Sequence, residues 1–156
     1  IGYHVIIVDI HDKTEVTIEY DYIQFDLMDI NNYHILKTQI QEKTKNLKVL
    51  INNAAFNPQV EGEGNSFGKF EDQKIDELEK EIKLNLEAPI FLTQALLDIF
   101  NKDDNKNCKI INVVSTYGLV PPNQDLYKPL SKIEGKEIVK PIGYSITKAG
   151  LVIATK

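Results

Sequence analysis

Val49-Leu50-Ile51-Asn52-Asn53-Ala54-Ala55 is a short apolar run that stops at two asparagines and two alanines. An apolar run of this length, bounded by turn-forming residues, reads as a strand buried on both faces, the usual condition of a parallel sheet. Ile110-Ile111-Asn112-Val113-Val114-Ser115 has the same form and delivers a serine at its carboxyl end. Upstream, His4 to Asp9 and Tyr22 to Asp26 are two further short strands, each closed by an acid. Helical spacing fills the intervals. Ile30, Tyr33, Leu36 and Ile40 mark a helix over Asp29–Lys43, with Asp29 placed as its cap. Ile75, Leu78, Ile82 and Leu86 mark one face of a long helix over Asp72–Lys102, and Gly143 opens a last helix. Pro58–Lys69 reads as a glycine-rich loop, and Val120–Pro141, with four prolines, as an irregular insertion. Alternating strands and helices predict an α/β fold, a parallel sheet with helices on both faces.

Composition narrows the function. At 156 residues the chain is expected to be one domain, residues 1–156, with no internal repeat or linker. A formal charge of −5 supplies no basic footprint for nucleic acid. The sequence contains no arginine, so the planar fork that grips phosphates bidentately is absent. Its single cysteine, Cys108, cannot close an internal disulfide and suits a reducing, cytoplasmic compartment. His4, His11 and His34 share no ligand-like spacing, and no metal is expected. No apolar run reaches the ~18 residues that a membrane span needs.

Tyr144-Ser145-Ile146-Thr147-Lys148 carries the chemistry. Residues four apart on a helix share a face, which sets an ammonium beside a phenol. At ~4 Å and an effective dielectric of about 20, one positive charge favours the phenolate by roughly 4 kcal/mol. Such a phenol can give and take protons. Tyr117 and Tyr127 are rival phenols, but proline and serine stand where each would need its lysine. Pro89 lacks an N–H, so the helical bond to the Asn85 carbonyl cannot form, and a kink is expected there.

A strand with Asn52-Asn53-Ala54-Ala55, a helix with internal Asn85, a strand ending in Ser115 with Gly118 three residues on, and Tyr144 with Lys148 follow one another in order. In this order they resemble the short-chain dehydrogenase/reductase family, in its compact single-domain branch. The resemblance implies a Rossmann-type doubly wound parallel sheet and an NAD(P)-dependent oxidoreductase. It also implies that the chain is incomplete at both ends. Relatives begin with a strand and a glycine-rich turn, and continue with further strands and a substrate lid, none of which is found in this sequence. The chain alone is therefore expected to be inactive. In the order 3-2-1-4-5-6, the strands at His4–Asp9 and Lys48–Asn53 should be kept apart by one strand position. Direct pairing between them would contradict that order.

The resemblance also assigns the sites. Ligands of open parallel sheets bind beyond the carboxyl ends of strands, where Asp9, Asp26, Asn52 and Ser115 fall. Asp9 is expected to accept the adenosine ribose hydroxyls and to repel a 2′-phosphate. Ile10, His11 and Asp12 after it offer no basic clamp, so NAD is expected rather than NADP. Asp26 and the amide of Leu27 would meet the adenine amino group. Asn53, Ala54 and Ala55 would allow close approach of the backbone to the cofactor; relatives usually carry glycine at the fourth position of this turn. Ser115 would hydrogen-bond the substrate oxygen, Tyr144 would transfer the proton, and Lys148 would hold the nicotinamide ribose and support Tyr144. The Asn85 carbonyl would hold a water that contacts Lys148.

Ser115 and Tyr144 lie farther apart than in compact relatives, and the surplus, Leu119–Ile142, should overhang the site beside Tyr144. Its polar, proline-stiffened character suits a hydroxyl-rich alcohol or carbonyl substrate. The segment from Ser115 to Gln124 resembles relatives associated with bacterial surface-sugar and flagellin-glycan synthesis. Relatives also form homodimers or homotetramers. Two other classes share features of this chain: a non-catalytic fragment or NAD-binding protein, and a sugar-nucleotide epimerase or dehydratase of the extended branch. The Asn52–Ala55 turn and Asn85 favour the dehydrogenase.

Overall fold

A computed structural model describes residues 2–12, 19–57, 69–100, 107–135 and 137–156. The contacts divide the chain into two compact units, residues 1–52 with 90–111 and residues 53–89 with 112–156. The loop expected at Pro58–Lys69 and the far end of the helix expected to reach Lys102 lie largely outside the described residues.

The first unit holds strands β1 (Ile6–Asp9), β2 (Asp21–Gln24), β3 (Val49–Asn52) and most of β4 (Lys109–Asn112). β1 pairs in parallel with β2, Ile6 opposite Asp21 and Asp9 opposite Gln24. β3 pairs with β4 in a second two-stranded sheet. No ladder joins β1 to β3 among the described residues. Those pairs are the neighbours that the doubly wound order demands, and the pairing that would contradict it is not seen.

Helix α1 (Tyr33–Lys43) follows a single 3₁₀ turn and buries Tyr33, Leu36 and Ile40, three of the four positions in its apolar spacing. They join Ile23, Leu92, Leu96, Ile99 and Phe100 in the core of this unit. Asp29 does not cap the backbone as expected; its carboxylate accepts from the Asn32 side chain at 2.8 Å. The 3₁₀ turn moves the α-helix start three residues on, beyond reach of that carboxylate. Ile110 and Ile111 are 40% and 46% exposed, against the expectation of a buried strand. Apolar character records what a strand could bury, whereas exposure depends on the layers that cover each face.

In the second unit, α2 (Ile75–Ile82) runs into one wide π-turn at Lys83–Glu87 and continues as α3 (Ala88–Leu96), of which Ala88 and Pro89 belong to this unit. The helical series therefore stops at Leu96. The distortion expected at Asn85 is this π-turn: the Ala88 amide bonds back to Lys83, five residues away. One added residue in the turn accommodates a proline that cannot donate. The insertion is not wholly irregular. It forms a 3₁₀ turn at Gln124–Tyr127 and a short helix, α4 (Lys128–Glu134), with Pro129 in its first turn and Gly135 ending it at φ 64°. Proline is tolerated there because a first-turn N–H has no helical partner.

Helix α5 (Ile142–Ala154) packs on α2 and the π-turn. Two glycines permit the approach. A Cβ on Gly143 would lie 2.9 Å from the Leu78 side chain, and one on Gly150 would lie 3.1 Å from that of Leu86. Ile75, expected on the same apolar face, is instead 77% exposed at the helix start. Glu81 and Asn85 take the centre of the packed face, both fully buried.

Candidate active site

Tyr144 and Lys148 stand one turn apart on α5, in the second unit. Tyr144 is half-buried, and Lys148 is 3% exposed. The Lys148 ammonium lies 5.7 Å from the centre of the Tyr144 ring and donates to the Val113 carbonyl at 2.7 Å. Burial pushes this amine below the ordinary lysine value. A cation held in so dry a place is a strong donor to any polar group brought near it.

Ser115 caps the 3₁₀ turn Thr116–Gly118, its hydroxyl accepting from the Tyr117 amide at 3.2 Å. That turn is docked on α5 by Gly118. A Cβ at Gly118 would fall 2.7–2.9 Å from backbone atoms of Lys148 and Ala149. The serine segment and the lysine are thus tied by backbone contact. Burial, followed by the hydrogen bond with Tyr117, pushes the rival phenol Tyr127 up to about 12.

Asn85 acts through its side chain, a contact that the sequence did not reveal. Its Oδ1 accepts from the Phe56 amide at 2.7 Å, and its Nδ2 donates to the Phe56 carbonyl at 2.8 Å. The same Nδ2 reaches the Thr147 hydroxyl at 3.3 Å. Asn85 therefore pins the chain just after Asn53-Ala54-Ala55 to the helix that carries Tyr144. Asn53 and Ala55 are exposed and Ala54 is half-buried.

The remaining candidates lie in the first unit. Asp9 ends β1, and its Oδ1 accepts from the His11 amide at 2.9 Å and meets the His11 ring at 2.8 Å. The His11 amide and then its side chain hold the Asp9 carboxyl below the usual range. The His11 ring is thus folded back onto the carboxylate that precedes it. Asp26 accepts from the Met28 amide at 2.8 Å, and the Leu27 carbonyl accepts from the Tyr33 hydroxyl at 2.6 Å. Asn52 is buried, and its side chain donates to Thr93 at 3.3 Å. Among the described residues, no group of three His, Cys, Asp or Glu side chains gathers as a metal site. No described helix is long and apolar enough to cross a membrane.

Sequence reasoning also missed a second cation in the second unit. Lys140, 7% exposed, holds its amine 5.2 Å from the centre of the Tyr144 ring. No spacing rule could have found it, because Lys140 precedes α5 and only the return of the insertion brings its amine to the ring. A cavity of about 590 Å³ in this unit is lined by Pro121, Pro122, Gln124 and Lys140 of the insertion, with Ile142 and Ser145 of α5.

The family model described as short chain dehydrogenase matches residues 2–129. Among solved structures, a short chain dehydrogenase from Leptospira borgpetersenii with bound NAD+ is 22% identical with a TM-score of 0.74. The match covers 96% of this chain and 52% of that one. Thermoplasma acidophilum aldohexose dehydrogenase is 20% identical with a TM-score of 0.69, over 96% of this chain and 48% of that one. A 4-hydroxyisoleucine dehydrogenase complexed with NADH and succinate is 23% identical with a TM-score of 0.66, over 97% and 58%. The chain thus spans about half the length of these structures, and the likeness establishes a Rossmann-type fold, incomplete relative to theirs. A search of curated proteins finds no match.

Proposed function

From the premise that this chain belongs to the short chain dehydrogenase family, we propose that it carries the proton-transfer centre of a nicotinamide-dependent oxidoreductase acting on an alcohol or its carbonyl counterpart. The observation that carries this reading is the half-buried Tyr144 with the dry ammonium of Lys148 over its ring. A phenol there can take the hydroxyl proton of an alcohol or return it to a carbonyl oxygen, and a nearby cation stabilises the phenolate. Ser115 would donate its hydroxyl to the same substrate oxygen, where charge develops. Asn85 would act by holding the Phe56 turn in place.

The residues present fit a nicotinamide cofactor. In the first unit, Asp9 is an anionic acceptor at a strand's carboxyl end, suited to ribose hydroxyls, and Asp26 with Leu27 would meet the adenine. In the second, Asn53, Ala54 and Ala55 carry no bulky side chain, and Lys148 offers a donor to a ribose. When bound, the nicotinamide supplies or accepts the hydride. Asp9 favours NAD over NADP in this reading, because its carboxylate would repel a 2′-phosphate.

The substrate would be hydroxyl-rich, a sugar derivative of surface-glycan synthesis. The support is the proline-lined cavity of mixed polar and apolar lining to which the insertion contributes, with Gln124 and Lys140 among its polar residues. A cytoplasmic homodimer or homotetramer completes the proposal, and light scattering of the purified protein tests the assembly. For the chemistry, the full-length protein is assayed with NAD+ or NADP+ against a panel of polyols and aldoses, following reduced nicotinamide. Tyr144→Phe is expected to abolish turnover while cofactor binding, followed by fluorescence, persists. Substantial turnover in that variant removes Tyr144 from the role.

A further inference from the structure

We propose that Lys140 is a second cationic positioning residue for Tyr144, delivered by the Leu119–Ile142 insertion and charge-balanced by the buried carboxyl of Glu81. The inference rests on the reading of Tyr144 as the proton-transfer residue, and it concerns residues outside the motifs of that reading.

The insertion is built around Lys140. Gln124 clamps the Lys140 backbone from both sides: its Oε1 accepts from the Lys140 amide at 2.9 Å, and its Nε2 donates to the Lys140 carbonyl at 3.1 Å. The Ser131 hydroxyl accepts from the Ile138 amide at 2.9 Å, which ties α4 to the same returning segment. The Lys140 amine donates to Asn57 Oδ1. A lysine fixed at backbone and amine, and almost wholly withdrawn from water, forgoes the hydration that a surface lysine keeps. Its ammonium comes to rest over the Tyr144 ring, slightly closer to the centre than that of Lys148.

Glu81 is the second observation. It is fully buried, and neither carboxyl oxygen has a hydrogen-bond partner. It lies against Gly143, where a Cβ would meet Oε2 at 2.6 Å, so it sits beneath the turn between Lys140 and Tyr144. Burial pushes Glu81 up to about 7, Lys140 pulls it back down, and Glu77 adds a smaller upward push. Burial pushes the Lys140 amine down, and the Glu81 charge pushes it back up. The two groups feel each other's charge without a direct hydrogen bond. An orphan carboxyl is costly in a dry interior; opposite a buried amine that borders the phenol, it has an electrostatic role. Among the described residues, the charged groups near the phenol include Lys140, Lys148 and, behind Lys140, Glu81 with Glu77; Lys69, Glu71 and Glu137 line the same cavity as Lys140.

The test reads the phenol directly and needs no substrate. Full-length protein is titrated through the alkaline tyrosinate absorbance. In each background, the curve of the matching Tyr144→Phe variant is subtracted, leaving the Tyr144 step. Lys140→Met is expected to move that step to higher pH, the direction set by loss of a neighbouring cation, and Lys140→Arg to restore it. Glu81→Gln, which removes a negative charge, is expected to move it to lower pH. Opposite signs from two neighbours are what charge predicts and what loosened packing does not. If Lys140→Met does not fold, Lys140→Gln takes its place. A step unmoved in the Lys140 variant, or moved in the same direction by both substitutions, overturns the proposal. Because this readout is independent of turnover, loss of the oxidoreductase reading would show separately, in the Tyr144→Phe assay.

Discussion

Asn85 and Phe56 exchange two hydrogen bonds, the asparagine side chain closing on the phenylalanine peptide as a neighbouring β-strand would. Asn85 is fully buried, and both bonds are partly shielded from water. Asn85→Leu would leave the Phe56 amide and carbonyl without these partners, at a cost of about 2–4 kcal/mol for two orphaned backbone groups. Urea denaturation should report that loss, and hydrogen exchange should show a deprotected Phe56 amide. Stability within 0.5 kcal/mol of wild type, with Phe56 still protected, would refute the clamp.

Gly118 and Gly135 make a contrasting pair. An alanine at Gly118 must displace the backbone of Lys148 or Ala149, so about 1–3 kcal/mol of destabilisation is expected. An alanine at Gly135 meets no atom within 4 Å but must adopt φ 64°, a penalty of roughly 1–2 kcal/mol. Only Gly118→Ala should also reduce turnover, since it alone disturbs the lysine-bearing helix. Equal turnover in the two variants would sever the link between Gly118 and Lys148.

The stability of the second unit should fall as pH rises from about 4.5 to about 7. Glu81 has its folded value raised to about 7 from an ordinary value of 4.5, with burial the first cause. The folded state then holds more protons than the unfolded state across that window, and stability declines as pH climbs. The penalty is absent below the window and complete above it, at roughly 3 kcal/mol. Glu81→Gln should flatten this decline and raise stability at pH 8. Denaturation at pH 5 and pH 8 checks the sign, and a wild type that is more stable at pH 8 by the Glu81 contribution would contradict it.

Cofactor preference offers a fourth test. Asp9→Asn removes the carboxylate charge that would oppose a 2′-phosphate, so the ratio of kcat/KM for NADP+ over NAD+ should rise at least tenfold. An unchanged ratio would take Asp9 out of cofactor choice. His11, which engages the Asp9 carboxylate, supplies the matching control. His11→Ala should free the carboxylate and lower the ratio.

The strands, the α/β alternation and the Tyr144–Lys148 pair were legible in the sequence because each depends on local periodicity or on one turn of helix. Pro89 announced the distortion at Asn85 for the same reason: a missing N–H is a covalent fact. What only the tertiary structure decided is where side chains distant in sequence meet. That Asn85 closes on Phe56, that Gln124 and Asn57 hold Lys140, and that Glu81 lies beneath Gly143 all depend on how α5 crosses α2 and where the insertion returns. The exposure of Ile110 and Ile111 belongs to the same class, since an apolar run records a capacity for burial and the neighbouring layers determine whether it is used. Periodicity is a property of the chain. Desolvation and charge pairing are properties of the packing, and the electrostatics of this site reside there.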